Sequence, residues 1–467
     1  MTEIVIIGAG SLVFSSRLTA DILSYSELAD SHFRLVDTDP LRLEFAEKIV
    51  NRIFKEGKYP NASVSTYTDR REALKGADYV IISILIGGFE AIQKEIDIPL
   101  KYGINQCIGD TLTPGGIMRC LRTLPVLQEI VDHILEYCPE AMVINYTNPM
   151  GMLSKGIIEH APGLKYVGLC HSVQHTAEEW AGRLEIPLEE INFVCSGINH
   201  EAWYTKFEHK GKDLLPRIRK LAEKPEIWYG DSARMEYVKH LGFPVTESSG
   251  HVSEYNPWFR KNEEMVKRYC HEEFSEWNGG FGFIKELYDR PDWQDQMKKM
   301  AVWEDPIDLE RSVEYGSQII HAMETGETSI IYGNVINHGC IENLPQDAVV
   351  EVPCVVDKNG LKPVYTGKLP PHLAALNTTQ LLVQDLAVKA TQQADPEMVF
   401  QAMAMDPLTA MSCTLDQIRA MTRELMEAHK EWIPVMKGKI PADKPLIYRE
   451  KPVGPVEKHL DPAKANQ

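Results

Sequence analysis

Glu3-Ile4-Val5-Ile6-Ile7-Gly8-Ala9-Gly10-Ser11 sets five residues suited to a buried strand before a glycine turn, and an amphipathic segment, Leu12 to Leu28, follows at once. This is the strand, turn and helix of a dinucleotide-binding unit. Gly8 permits the tight turn, Gly10 lets the backbone approach a pyrophosphate, Ser11 borders it, and the helix N-terminus offers free N–H groups to that anion. A second strand, Phe33-Arg34-Leu35-Val36, ends in Asp37, whose carboxylate can accept from ribose hydroxyls and would repel a 2′-phosphate. NAD is therefore expected rather than NADP. The third glycine of the G-x-G-x-x-G pattern is replaced by Val13, which leaves the motif weak by itself. Its surroundings strengthen it: a helix over Pro40 to Glu56, a strand near Ser63–Tyr67 and the apolar strand Tyr79–Ser83 give the rhythm of a doubly wound, Rossmann-type parallel sheet.

A chain of 467 residues exceeds the size at which one core stops growing. The expected division is a Rossmann-like domain over 1–200, a mixed α+β, helix-rich domain over 201–436 and a Pro- and Lys-rich surface tail over 437–467. Helices are expected at 232–241, 263–274, 283–288, 312–324, 371–392 and 415–430, with a β-rich stretch at 349–357. A net charge of −18 argues against nucleic acid as the main partner. No apolar run reaches membrane-spanning length, and the opening residues lack the basic and cleavable features of a secretory signal. Nine cysteines, odd in number and without a Cys-x-x-Cys pair, fit a reducing cytoplasm.

Several polar residues stand where open α/β sheets bind ligands, at or beyond the C-terminal ends of strands. Asp110 and Arg119 flank Gly115-Gly116; Asn148 precedes Pro149 and is pushed toward an extended backbone; Cys170-His171 and Asn199-His200 each end an apolar run. A thiolate and an imidazole are a borderline-soft ligand pair for Mn, Fe, Co, Ni or Zn, too few for a closed structural site but suited to an open catalytic one. Spacing alone equally allows a buried thiol and a core histidine, an ordinary Asn-Pro turn, and an ion pair for Arg119.

Taken in order, Gly8-Ala9-Gly10-Ser11, Asp110-Thr111, Pro114 to Arg119, Asn145 to Met150, Cys170-His171-Ser172-Val173-Gln174, Gly197 to His200 and Thr246-Glu247-Ser248-Ser249 resemble glycoside hydrolase family four. Tyr332-Gly333-Asn334-Val335 and Pro371 to Leu376 add likeness to its melibiase-type α-galactosidases. The resemblance implies a cytoplasmic, homodimeric or homotetrameric glycosidase that uses NAD and Mn²⁺ or another divalent ion, outside the usual two-carboxylate scheme. Its chemistry would be oxidation at C3 of the sugar, proton removal at C2, elimination of the aglycone, water addition and return of the hydride.

The same resemblance implies Cys170 and His200 as metal ligands, Asn148 and Arg119 as sugar contacts, and Gly8, Gly10, Ser11 and Asp37 as the NAD site. Asp110 and His171 are the candidates for acid help at the leaving oxygen; Tyr255 is the candidate base, with Glu247 or His251 as alternatives. Tyr255 could equally be a packed aromatic beside Trp258 and Phe259, and Glu247 a cap or a sugar contact. Related readings are an α-galacturonidase or α-glucosidase on the same scaffold; His171 after the cysteine, where phosphoglycosidases keep aspartate, disfavours that branch. From other classes come a 2-hydroxyacid dehydrogenase and a non-catalytic NAD-binding sensor.

Overall fold

The computed structural model describes residues 1–11, 14–271, 289, 291–302 and 307–440. Val13, the expected helix at 283–288 and most of the expected tail lie outside the described residues. Strands β1 (Glu3–Ile7), β2 (His32–Val36), β3 (Ser63–Tyr67), β4 (Tyr79–Ile82), β5 (Met142–Asn145) and β6 (Tyr166–Gly168) are parallel, in the order β3-β2-β1-β4-β5-β6. That is the strand order of a dinucleotide-binding sheet, reversing direction of winding between β1 and β4. Ile4 to Ile7 of β1 are almost wholly buried, as a central strand covered on both faces requires.

The parallel strands continue without a break into an antiparallel part. β6 pairs with β10 (Ser329–Ile336), which pairs with β11 (Val349–Asp357); β11 pairs with β7 (Ile191–Ile198), followed by β8 (Glu201–His209) and β9 (Lys212–Asp213), while β12 (Gly360–Pro363) pairs with β11. After β8 the helices begin earlier than the expected 232–241, with Leu215–Leu221 and Pro225–Gly230 preceding it. β8 carries Ala202, Trp203 and Tyr204, all fully buried, a non-alternating run that periodicity does not mark as strand.

Between the parallel strands lie α1 (Phe14–Leu23), α2 (Pro40–Glu56), the short α3 (Arg70–Leu74), α4 (Gly88–Lys101), α5 (Thr113–Tyr137) and α6 (Met150–His160); α7 (Ser172–Leu184) follows β6. Asp39 caps α2, accepting from Leu41 and Arg42 backbone N–H, with Pro40 at its first turn. The helix Pro371–Gln393 packs on α5 and α6 and covers the sheet. Its Asn377 and Gln380 donate to buried Glu201, as does Asn256. These contacts anchor the start of β8 directly after His200.

Candidate active site

Four separate segments converge at the C-terminal edge of the parallel sheet. Cys170 follows β6 and precedes α7; His200 occupies the turn between β7 and β8; Asp110 and Thr111 lie in the loop between α4 and α5. Glu247 and His251 flank the start of the short helix Ser249–Val252, and Tyr255 stands just beyond it. The Glu247 loop is fastened to β8 because Thr246 N–H donates to Ala202 O (2.9 Å) and Thr246 Oγ1 accepts from Ala202 N–H (3.1 Å).

Two of these residues, and Thr113 at the end of the Asp110 loop, are backbone outliers. His200 (φ +66°), Glu247 (φ +68°) and Thr113 (φ +64°) adopt the left-handed conformation that non-glycine residues avoid at a cost of about 1–3 kcal/mol each. Such strain persists where surrounding structure over-determines it. At His200 it aims the imidazole back at Cys170.

Cys170 Sγ lies 3.3 Å from His200 Nε2 and 3.7 Å from Glu247 Oε1, and His200 Nε2 lies 3.4 Å from that same oxygen. Donors at about 2.0–2.3 Å from one ion sit roughly 3–3.7 Å apart, so the triangle fits a divalent cation as it stands. Burial pushes the His200 imidazole down to about 4, leaving it neutral, the form that ligates. Burial, with Glu247 and Glu351 nearby, pushes the Cys170 thiol well above its ordinary 9. Without a cation, Cys170 holds its proton.

A proton-holding cluster adjoins the triangle. His251 reaches Glu247 Oε2 (3.1 Å) through Nδ1 and Asp110 Oδ1 (3.4 Å) through Nε2. Burial opposes its charge, but the two carboxylates outweigh it and hold the imidazole well above 6.5. Conversely, burial would raise the carboxyls of Asp110 and Glu247, yet His251 and the other cations about them hold both below their ordinary values. Asp110 also accepts from Thr111 Oγ1 (2.7 Å) and Asn148 Nδ2 (3.1 Å), with Arg119 Nη1 at 3.8 Å.

The remaining candidates fall on either side. Asn148 Oδ1 is buried and accepts no hydrogen bond in the fold, a polar atom held ready beside Asp110. Arg119 is buried between Glu95 and Asp110, both at 3.8 Å. Tyr255 OH stands 3.3 Å from His200 Nδ1. His171 is not a corner of the triangle; it is half-exposed, with Nδ1 3.5 Å from Glu314 Oε1, and burial works against its charge, but Glu314 raises it above 6.5. Spacing had left Thr111 unremarked. His251 had a cue, its four-residue separation from Glu247.

At the C-terminal end of β1, on this same edge of the sheet, Gly8 has φ +87°, and a Cβ there would stand 1.9 Å from Ser83 O. Gly10 N–H donates to Asp37 Oδ2 (2.7 Å), and a Cβ on Gly10 would fall 2.6 Å from that oxygen. The turn therefore has room for no side chain, and its backbone is left bare to a close ligand. Ser11 N–H closes the turn onto Gly8 O. Asp37 retains lone pairs on both oxygens for further donors such as ribose hydroxyls.

Farther back, Asp406 N-caps the helix Pro407–Ser412 and also accepts from Thr113 N–H (3.1 Å), securing the strained end of the Asp110 loop. Burial pushes its carboxyl to about 6 from 3.8. The folded chain then binds a proton the unfolded chain has lost between about pH 4 and 6, so this group's stabilisation declines as pH rises through that window. The stability advantage of the native chain over Asp406→Asn should shrink by on the order of 3 kcal/mol from pH 4 to pH 7 in urea unfolding. An advantage that stays constant across this range would refute the shift.

Among known proteins, the family model described as Family 4 glycosyl hydrolase matches residues 3–186, and that of its C-terminal domain matches residues 195–409. The chain is 36% identical to an α-galactosidase of Bacillus subtilis over 451 residues, 94% of this chain and 100% of that protein. It superposes on a Bacillus subtilis protein described as a glucosidase with a TM-score of 0.80 at 26% identity, over 91% of this chain and 99% of the other. A 6-phospho-α-glucosidase from gut microorganisms, solved with NAD and Mn²⁺, superposes with a TM-score of 0.77 at 20% identity, over 93% of this chain and 99% of the other.

Proposed function

The chain belongs to family 4 of the glycosyl hydrolases, and from that premise we propose that it is an NAD- and divalent-metal-dependent α-galactosidase acting on small α-galactosides such as melibiose. The observation that carries the reading is the Cys170, His200 and Glu247 triangle, set beside a bare glycine turn on one sheet. Neither a two-carboxylate glycosidase nor a hydroxyacid dehydrogenase needs such a donor set. Gly8, Gly10, Ser11 and Asp37 would hold NAD; Cys170, His200 and Glu247 would hold Mn²⁺ or a similar ion. When bound, these groups supply a reversible hydride acceptor and a Lewis acid for the sugar oxygens.

The chain's own residues supply positioning and protons. Asn148, with its free amide oxygen, orients a sugar hydroxyl, and His251, with Arg119 behind it, keeps the adjoining Asp110 ionised. Because Asp110 is held as a carboxylate, the proton it was expected to give is carried by its neighbour His251, and Asp110 keeps that imidazole charged. Glu247, expected among the catalytic acids and bases, serves better as the third ligand. In this reading Tyr255 takes the substrate proton, and His171, paired with Glu314, assists the leaving group.

The same proposal includes a cytoplasmic setting and a homodimer or homotetramer. No helix among the described residues is long and apolar enough to cross a membrane. The deciding assay is release of nitrophenol from p-nitrophenyl α-galactoside with Mn²⁺, NAD⁺ and a thiol, run beside the α-glucoside and α-galacturonide. Release from the galactoside that stops on chelation supports the assignment. No release, with net NADH formed from a hydroxyacid, would overturn it.

A further inference from the structure

The loop that carries Asp110 and Thr111 is held by a carboxylate from a distant part of the chain. Glu254, 1% exposed, accepts from three successive backbone N–H groups: Cys107 (Oε2, 2.7 Å), Ile108 (Oε1, 3.2 Å) and Gly109 (Oε1, 2.9 Å). Alongside it, buried Arg260 donates to Ser253 Oγ (2.6 Å) and Asn105 Oδ1 (3.0 Å), so the whole segment from Ser253 to Arg260 is sewn to residues 105–109. Glu254 is the direct neighbour of Tyr255. One carboxylate thus joins the Tyr255 segment to the Asp110 loop.

What this joint sets is visible at His200. For Nε2 to face an ion with its lone pair, Nδ1 must carry the ring proton and donate it. The acceptor is Thr111 Oγ1 at 2.7 Å, whose own proton goes to Asp110 Oδ1, also at 2.7 Å. Thr111 lies two residues beyond the last backbone N–H that Glu254 grips. If the loop drifts by about 1 Å, Thr111 loses its hold on Nδ1, and Tyr255 OH, at 3.3 Å, is the other oxygen in reach of that nitrogen. Tyr255 would then be spent on fixing the ring instead of taking a substrate proton.

We propose that Glu254 is a positioning residue that, through Thr111, fixes the tautomer and aim of His200 and leaves the Tyr255 hydroxyl only the longer contact to that ring. It touches neither substrate nor cofactor. Three charge-assisted bonds to consecutive N–H groups make it hard to replace: glutamine offers one acceptor oxygen and sets an NH₂ against the remaining donors. Aspartate keeps the charge with a shorter reach.

The inference rests on the glycosidase reading, but its principal test does not need turnover. The dissociation constant for Mn²⁺ alone is measured on the full-length protein, from the electron paramagnetic resonance of free Mn²⁺, for Glu254→Gln, Thr111→Val and the double variant. Each single change should weaken Mn²⁺ by about 10–100-fold, the usual effect of losing a partner behind a ligating histidine. The double variant should lie within about 3-fold of the worse single, because both act on one bond. Thr111→Ser should restore the Thr111→Val loss. Should Glu254→Gln fail to fold, Glu254→Asp takes its place with an expected loss of about 3–10-fold.

In turnover, Glu254→Gln should lower kcat about 10²-fold, the scale of a 1 Å misplacement, with KM for p-nitrophenyl α-galactoside within about 3-fold and NAD binding unchanged. Losses that multiply in the double variant, or a Glu254→Gln protein that binds Mn²⁺ as the native one does, would overturn the proposal. A native protein that binds Mn²⁺ but leaves the galactoside intact would instead refute the substrate reading alone.

Discussion

Replacing Cys170 with serine should lower metal-supported hydrolysis by on the order of 10³-fold while NAD binding persists. The figure corresponds to about 4 kcal/mol, the scale on which a Lewis acid stabilises developing charge. Cys170 is one corner of a three-donor triangle, and the other two donors are a neutral imidazole and a carboxylate already engaged with His251. Serine preserves volume approximately but offers a hydroxyl that does not ionise near neutrality. The thiol itself is held protonated by burial and by the negative charges of Glu247 and Glu351, so binding a cation expels a proton. Mn²⁺ affinity of the native protein should therefore rise with pH, and that dependence should flatten in Cys170→Ser. Isothermal titration in two buffers of different ionisation enthalpy counts the released proton. Since the glycine turn lies at the end of β1, NAD affinity followed by fluorescence should change less than about 3-fold. Undiminished hydrolysis would remove Cys170 from the site.

The contrast between the two half-sites explains what the sequence alone reveals. Gly8, Gly10 and Asp37 lie within one βαβ unit, where each residue's task follows from local geometry, and the structure shows the steric need directly in the clash any Cβ on Gly8 would make with Ser83 O. Cys170 and His200 are 30 residues apart and follow strands that are not neighbours, since β10 and β11 separate β6 from β7. No local periodicity signals their meeting, and only the ordered run of family motifs did. The helical segments at 232–241 and 371–393 were legible from their apolar spacing, whereas β8 was not, because burial on both faces erases the two-residue alternation. Glu254 left no signature at all. A carboxylate that satisfies backbone N–H groups some 145 residues away looks, in sequence, like any surface glutamate.

Tyr255→Phe carries the other large effect: kcat should fall by about 10²–10⁴-fold, the range for a lost general base, with KM nearly unchanged. The ring is 1% exposed, and phenylalanine keeps its packing against His251 while deleting only the hydroxyl 3.3 Å from His200 Nδ1. Folding stability should change by about 1 kcal/mol, because Thr111 already satisfies that nitrogen. Burial and the charges of Asp110, Glu254 and Glu247 push the Tyr255 phenol well above 10, so the chain alone keeps it protonated. A nearby divalent ion would act in the opposite sense, favouring the phenolate and making this hydroxyl basic. Native kcat should accordingly rise with pH along a limb that Tyr255→Phe lacks. Solvent deuterium supplies a second reading, since a working C2 base exchanges that proton with D₂O and marks the released galactose. If Tyr255→Phe keeps both its rate and its deuterium incorporation, and His251→Gln loses them, the base is His251 and the phenol is a packing group.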